Sequence, residues 1–317
     1  MKLSIVLIAA AVLASGCDTA DPGGAYYDNT VAWNRISGRI ALAVGSSDAK
    51  PGYDLLVLDG DQLEVRHLVN ADDIWFPAGL SWHPNGITLA FGAYTRFDGQ
   101  GFSKHQVFTT RDDASGSYVN HAYDSGAHHG NPAWSPDGRL AWVHCCPREI
   151  GQSTGRSVRI DGRSYIVGNA AFRSSPAWVP DGTYLIVSVE DETSQGALYR
   201  LDPELGGLQP VLQGTGVYNS EIFGDPEFSP DGSRVVYWRR DAAVQELWTM
   251  APDGTDLRRL TTGFQDLEPA WSPHGTQIAF IRGDLPYVMR SDGSDVVKLR
   301  DRRADAIAWG PSAPTGG

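Results

Sequence analysis

The chain has 317 residues with 10 Trp, 36 Gly and 19 Pro, and 20% of it is charged, too little for a body that stays unfolded. The net charge of −12 comes from acids spread along the sequence, which argues against nucleic acid as a partner, because phosphate binding needs a basic face. Beyond the N-terminus no apolar run approaches the roughly 20 residues of a membrane span.

The first element is an export signal. Met1-Lys2 is a short basic start, and Leu3 to Ala14 is an apolar run too short to cross a bilayer. Ala14-Ser15-Gly16-Cys17 follows and resembles a bacterial lipobox, with Ala14 where Leu is usual. That resemblance implies cleavage of residues 1–16 and acylation of Cys17, which anchors the chain at roughly 0.8 kcal/mol per buried methylene. Asp18 resembles the inner-membrane retention signal of enteric bacteria. Residues 17–30, rich in Gly and Asp, read as a flexible tether.

The body repeats one unit. Pro132 to Val143 reads PAWSPDGRLAWV, and copies begin at Pro176, Pro226 and Pro269, with a looser one at Leu80 and a degenerate one at Trp33. An aromatic ends a strand, Pro-Asp-Gly makes a tight reversal, and an apolar run begins the next strand; Asn85 and His274 replace the Asp in the copies at Leu80 and Pro269, and the copy at Trp33 lacks Pro-Asp. The aromatics Trp82, Trp134, Trp178, Phe228, Trp271 and Trp309 recur every 38 to 52 residues. That period holds about four short strands, one propeller blade. A second hairpin in each unit supports this, as in Leu247 to Leu260 around Pro252-Asp253-Gly254.

The pattern W-S-P-D-G-x-x-I-A-F, then L-W-x-M-x-x-D-G, then L-T, resembles the TolB-type propeller repeat over residues 31–310. The resemblance implies an all-β fold: a six-bladed β-propeller of four-stranded antiparallel blades. Ala306 to Trp309 is expected to close the ring as the innermost strand of the first blade, leaving 311–317 as a disordered tail. The N-terminal α/β domain of TolB has no counterpart before residue 31. The periodic aromatics are expected to pack between blades, and the turn Asp residues to shape turns.

Function is sought where the repeats differ, just before each inner strand. The candidate binding residues there are Asp73, Trp75, His128, His129, Arg173, Glu221, Asp225, Asp266 and Arg303. His105, His121, His128, His129 and His144 crowd one region near Cys145 and Cys146, but their spacing fits no standard zinc pattern, and strand alternation should scatter them. No metal or other cofactor is expected. Cys145-Cys146 form either a vicinal disulfide, if exported, or two buried thiols. There is no nucleophile elbow and no phosphate loop. The reading is a monomeric lipid-anchored protein facing the periplasm or cell exterior, which binds a protein or cell-envelope component through one face of its channel. The alternative is an enzyme at the channel mouth, such as a metal-dependent polysaccharide lyase, because oligogalacturonate lyases resemble this repeat.

Overall fold

The turns Pro-Asp-Gly, and Pro-Asn-Gly and Pro-His-Gly at Gly86 and Gly275, form as their chemistry dictates. Gly86, Gly138, Gly182, Gly232 and Gly275 all have φ between +66° and +86°, the region open to glycine. Each donates its N–H to the carbonyl three residues earlier, from Gly138 to Ser135 at 3.0 Å and from Gly232 to Ser229 at 2.8 Å. The Asp residues accept bonds within the turns: Asp181 Oδ1 takes the Thr183 N–H at 2.9 Å and its hydroxyl at 2.6 Å. They are turn formers.

In the computed structural model these hairpins assemble into six sheets, described over residues 36–45, 53–60, 64–71, 74–96, 102–112, 117–121, 128–145, 157–166, 171–172, 174–190, 195–214, 221–241 and 244–312. Residues 1–35, with the signal, Cys17, the tether and Trp33, lie outside the described residues. Blade 1 contains β1 (Arg39–Gly45), β2 (Tyr53–Asp59) and β3 (Glu64–Ala71). Blade 2 is β4 (Ile74–Trp82), β5 (Thr88–Arg96), β6 (Phe102–Arg111) and β7 (Tyr118–Asn120). Blade 3 is β8 (His128–Trp134), β9 (Leu140–Cys145), β10 (Ser157–Ile160) and β11 (Arg163–Ile166). In blade 4 the inner strand is split into β12 (Ala171–Phe172) and β13 (Ala177–Trp178), both paired with β14 (Leu185–Glu190). Outside them lie β15 (Gly196–Leu201) and β16 (Leu208–Gln213).

Blade 5 runs β17 (Ile222–Phe228), β18 (Val235–Asp241), β19 (Val244–Met250) and β20 (Arg258–Arg259). Blade 6 runs β21 (Asp266–Trp271), β22 (Gln277–Arg282), β23 (Leu285–Arg290) and β24 (Val297–Lys298). The last strand, β25 (Ala306–Gly310), completes blade 1, pairing antiparallel with β1 from Arg39↔Gly310 to Ala43↔Ala306. The expected closure is therefore present. Pro311, expected to begin the tail, accepts a 3.0 Å hydrogen bond from Arg39 Nε.

The core is divided among the six seams between blades. Inward-facing residues of two neighbouring sheets interdigitate at each, as in the cluster of Ile222, Val236, Trp238 and Leu247 with Trp271, Ile278, Phe280 and Met289. Indoles tie strands and blades together: Trp178 Nε1 of blade 4 donates to Ala133 O of blade 3 at 3.2 Å, and Trp309 Nε1 donates to Ser37 O at 2.7 Å, fastening the closing strand within blade 1. The seams are unequal. Among the described residues, five have apolar clusters of eight to fourteen buried residues. The seam between blades 2 and 3 has three, Ala90, Val107 and Leu140, with Trp134 and Trp142 packed against them.

Candidate functional site

The inner strands of blades 2 to 6 share one irregularity, which β25 of blade 1 lacks, and it builds the site. Three residues before each repeat aromatic stand Gly79, Asn131, Ser175, Asp225, Glu268 and Ala306. Pairing with the second strand slips at this level in β4, β8, β17 and β21, and the inner strand of blade 4 is broken there. Gly79, Asn131, Asp225 and Glu268 have φ of 60°, 51°, 45° and 52°. A β-bulge of this kind re-aims side chains out of the regular alternation. The channel is narrow here: a Cβ on Gly79 of blade 2 would lie 2.6 Å from Asn131 Cα of blade 3 and 2.9 Å from Ser175 Oγ of blade 4.

Past this ring, toward the Pro-Asp-Gly turns, lies a cavity of about 420 Å³ on the propeller axis. Its walls include Trp82, Trp134, Trp178, Phe228 and Trp309, with Pro84, Pro136, Pro180, Pro230 and Pro311 toward one end. Five of the repeat aromatics thus pack at the blade seams and also line an open-mouthed cavity. Three half-buried carboxyl groups line it, Asp225 and Glu227 from blade 5 and Glu268 from blade 6.

Each acid is held differently. Asp225 Oδ2 accepts the Trp238 indole N–H at 2.7 Å. Gly224 makes that possible, because a Cβ there would run into the Trp238 ring. Burial pushes Asp225 up to about 6, opposed by the Trp238 indole and by backbone bonds from Ser175 and Glu268. Glu227 occupies the position before the aromatic, which is Ser81, Ala133, Ala177, Ala270 or Ala308 in the other blades. Its Oε2 accepts the Trp271 N–H at 3.2 Å, much as Ser81 Oγ accepts the Trp134 N–H at 2.9 Å. Burial carries Glu227 up to about 8. Glu268 is raised well above the usual carboxyl range, by burial first and then by the charges of Asp225 and Asp305. All three carboxyls are thus shifted toward the protonated form, in which a carboxyl can donate as well as accept a hydrogen bond.

Of the residues expected to form the site, Asp225 alone among the described ones lines this cavity. The others lie at the opposite end of the inner strands. Asp266 is fully buried and paired with Arg282 through two 2.8 Å bonds. Glu221 is buried against Arg239 at 2.5 Å. His129 is 1% exposed, His128 is exposed, and Arg303 is exposed with Asp284 at 3.9 Å. Asp73, Arg173 and Cys146 lie outside the described residues, as do the side chains of Trp75 in β4 and Cys145 in β9. The sequence signal for the two missed acids is the departure of Glu227 from a small-residue position and the polar run Asn131, Ser175, Asp225, Glu268 at one repeat register.

The histidines are not scattered. His129 and His144 are directly opposed on β8 and β9, so they share a face, and their ring centres are 4.7 Å apart. His105 of β6 reaches them across the seam, its Nδ1 2.7 Å from His129 O. His121 stands apart, with Nε2 2.8 Å from Thr109 Oγ1. Among the described residues no group of three or more His, Cys, Asp or Glu is placed to hold a metal ion.

Six radial four-stranded sheets closed by the terminal strand around an axial cavity define a β-propeller. The family model of the TolB beta propeller domain matches residues 31–313, and the chain belongs to that family. It is 34% identical over 99 residues to the Tol-Pal system protein TolB of Anaeromyxobacter sp. (strain K). That stretch covers 31% of this chain and about a fifth of the length of that relative, 21%. Among solved structures it is similar to TolB from Acinetobacter baumannii, with TM-score 0.67 and 19% identity over 88% of this chain and 68% of that one. It is also similar to a putative TolB from Agrobacterium tumefaciens, with TM-score 0.60 and 16% identity over 85% and 91%. At these identities the structural likeness speaks for fold.

Proposed function

We propose that this chain is an exported, lipid-anchored propeller that binds a protein partner of the cell envelope through the mouth of its axial cavity. The observation that carries this reading is the cavity itself, which joins Trp and Pro walls to three carboxyl groups, Asp225, Glu227 and Glu268, whose burial favours their protonated form. Such a lining suits a polypeptide segment that brings an apolar or aromatic group and polar N–H groups. The name of its relative, a Tol-Pal system protein, supports an envelope partner. The lipobox-like Ala14 to Cys17 supports membrane attachment through Cys17, with residues 18–30 as tether. Catalysis has no part in this reading: the propeller is a rigid holder that keeps its cavity near the membrane.

The test is site-specific photocrosslinking in the native host. A photoreactive residue at the exposed Pro84 or Pro230, beside the cavity, is expected to capture one envelope protein. The same residue at Leu205, 82% exposed on an outer turn, is expected not to. Equal capture from all three positions, or none from the cavity mouth, would end the reading. Cys17→Ala is expected to move the protein from the membrane to the soluble fraction and to abolish fatty-acid labelling.

A further inference from the structure

Outside the axial cavity, three buried acids of this chain each have an arginine. Asp266 is paired with Arg282 through two 2.8 Å bonds, Glu221 lies 2.5 Å from Arg239, and Asp112 is paired with Arg39. The carboxyls of the cavity have no such partner. Among the described residues no Lys or Arg lines it, and the basic side chain that does, His83, belongs to blade 2, across the axis from blade 5. Hydrogen bonds do not make up the deficit. An ionised carboxylate can accept about four of them. Asp225 is well supplied, by the Trp238 indole and by the backbone N–H groups of Ser175 and Glu268. Glu227 has the Trp271 N–H at 3.2 Å. The Glu268 carboxyl has no hydrogen-bond donor among the described residues, and Asp225 and Asp305 stand near it as further acids.

Burial without a cation pushes both glutamates toward the protonated form. A cation brought to them would restore their charge and supply the missing bonds. The walls suit the same charge. Phe228 of blade 5 and Trp309 of blade 1 line the cavity beside the acids, and an aromatic face attracts a cation. The fold already makes this contact at two other repeat indoles. Arg39 lies 4.6 Å from the centre of the Trp82 ring and Arg139 lies 4.7 Å from that of Trp178. Both are committed outside the lining, Arg39 to Asp112 and Arg139 to Asp137 at 2.9 Å. A guanidinium meets the need better than an ammonium, because it stacks flat on a ring and presents a rigid fork of donors that can reach two carboxyls. A metal ion meets it less well: among the described residues no group of three or more His, Cys, Asp or Glu is placed to hold one.

We propose that the cavity binds the guanidinium of an arginine, carried on the segment that enters its mouth and seated against Glu227, Glu268 and Phe228. This rests on the reading of the cavity as the partner's docking site, and it names the side chain that the partner must bring. The arginine takes the place that Arg282 and Arg239 fill for Asp266 and Glu221, but from another molecule. The contact then selects partners by charge as well as by shape, since a segment without the cation would leave buried carboxyls unpaired.

The experiment is an NMR titration of the 15N-labelled full chain with a capped glycine-arginine-glycine peptide. A second titration uses the citrulline peptide, which has nearly the same shape and no charge. The indole signals of Trp82, Trp134, Trp178 and Trp309 report on the cavity wall. The arginine peptide is expected to shift them saturably, with a dissociation constant at least about tenfold below that of the citrulline peptide, the worth of one bond to a charged group. Glu268→Gln keeps the size of a side chain that has no donor in the fold, and it should weaken the arginine peptide about tenfold while leaving the citrulline peptide unchanged. Glu204→Gln, on an exposed outer turn, should change neither. Equal affinity for the two peptides, no saturable shift with arginine, or an equal loss in Glu204→Gln overturns the proposal. Should Glu268→Gln fail to fold, Glu227→Gln, which keeps an acceptor for the Trp271 N–H, takes its place with the same expectations. The titration uses the protein alone, so it stands apart from the crosslinking. A partner captured at Pro84 or Pro230, together with no preference for arginine, would sustain the docking reading and overturn the guanidinium.

Discussion

Arg39 and Pro311 stand 272 positions apart in the chain and are joined by a 3.0 Å hydrogen bond from guanidinium to carbonyl. The same guanidinium bonds Gly86 O, pairs with Asp112, and lies 4.6 Å from the centre of the Trp82 ring. One 1%-exposed arginine therefore fastens the C-terminal end to blade 1 and to two loops of blade 2. Arg39→Met leaves Asp112, whose side chain is 2% exposed, as a buried charge without this cation. Breaking such a pair typically costs about 3–5 kcal/mol, and adding Asp112→Asn should recover part of the loss. Urea unfolding of the single and double variants checks both.

Removal of β25 tests the closure directly. A chain ending before Ala306 lacks the innermost strand of blade 1 and the Ile307 and Trp309 side chains buried at the seam with blade 6. It is expected to lose near-UV circular dichroism and to expand in small-angle scattering. A synthetic peptide spanning residues 304–312, added in trans, should restore both, because the vacated edge of β1 keeps its pairing register. Unchanged scattering by the truncated chain would show that the ring does not depend on this strand.

Glu227 should make stability fall as pH rises. Its carboxyl is raised from 4.5 to about 8, so the folded state holds a proton that the unfolded state releases. The contribution is complete below about 4.5 and is lost as pH passes through about 8. Glu227→Gln keeps the shape without the titration. It should unfold at a higher temperature than wild type at pH 9 and differ little from it at pH 4, as thermal melts would show.

Gly224→Ala should disturb the cavity from behind. Its Cβ enters the space of the Trp238 ring, which must shift and so release Asp225. Overpacking of this kind costs about 1–3 kcal/mol. Trp238→Phe removes the indole donor and leaves Gly224 untouched. A carboxyl titration by NMR should find Asp225 higher in Trp238→Phe than in wild type, because the bond that lowers it is gone.

The hairpins were readable because each rests on a few adjacent residues: Ser135 to Gly138 specify their turn wherever they stand, and five such turns in register imply a ring. The closing strand was readable because Ala306 to Trp309 is an aromatic strand with no hairpin after it. The site was harder. Asp225 was found because it varies between repeats, but Asp266, chosen by the same rule, is consumed by Arg282, a partner 16 residues away that no local pattern announces. Glu227 and Glu268 became visible once the bulges showed which positions turn toward the axis. The histidines misled for a related reason: alternation separates neighbours along one strand, yet pairing sets His129 opposite His144, and a slot lined by Gly92 and Gly130 admits His105 from the next blade.

The bulge register has a consequence for anything entering the lumen. Going round the axis from blade 2 to blade 6, the five irregular positions read Gly79, Asn131, Ser175, Asp225 and Glu268, so the acids stand in neighbouring blades 5 and 6 and the facing positions in blades 2 and 3 are uncharged. The aperture is lopsided, with a field across it as well as along it. A guest bearing a single cationic or N–H-rich side would feel a torque and settle at one azimuth. A disc built from near-identical sectors can in this way dictate rotational orientation, which its pseudo-symmetry alone could not.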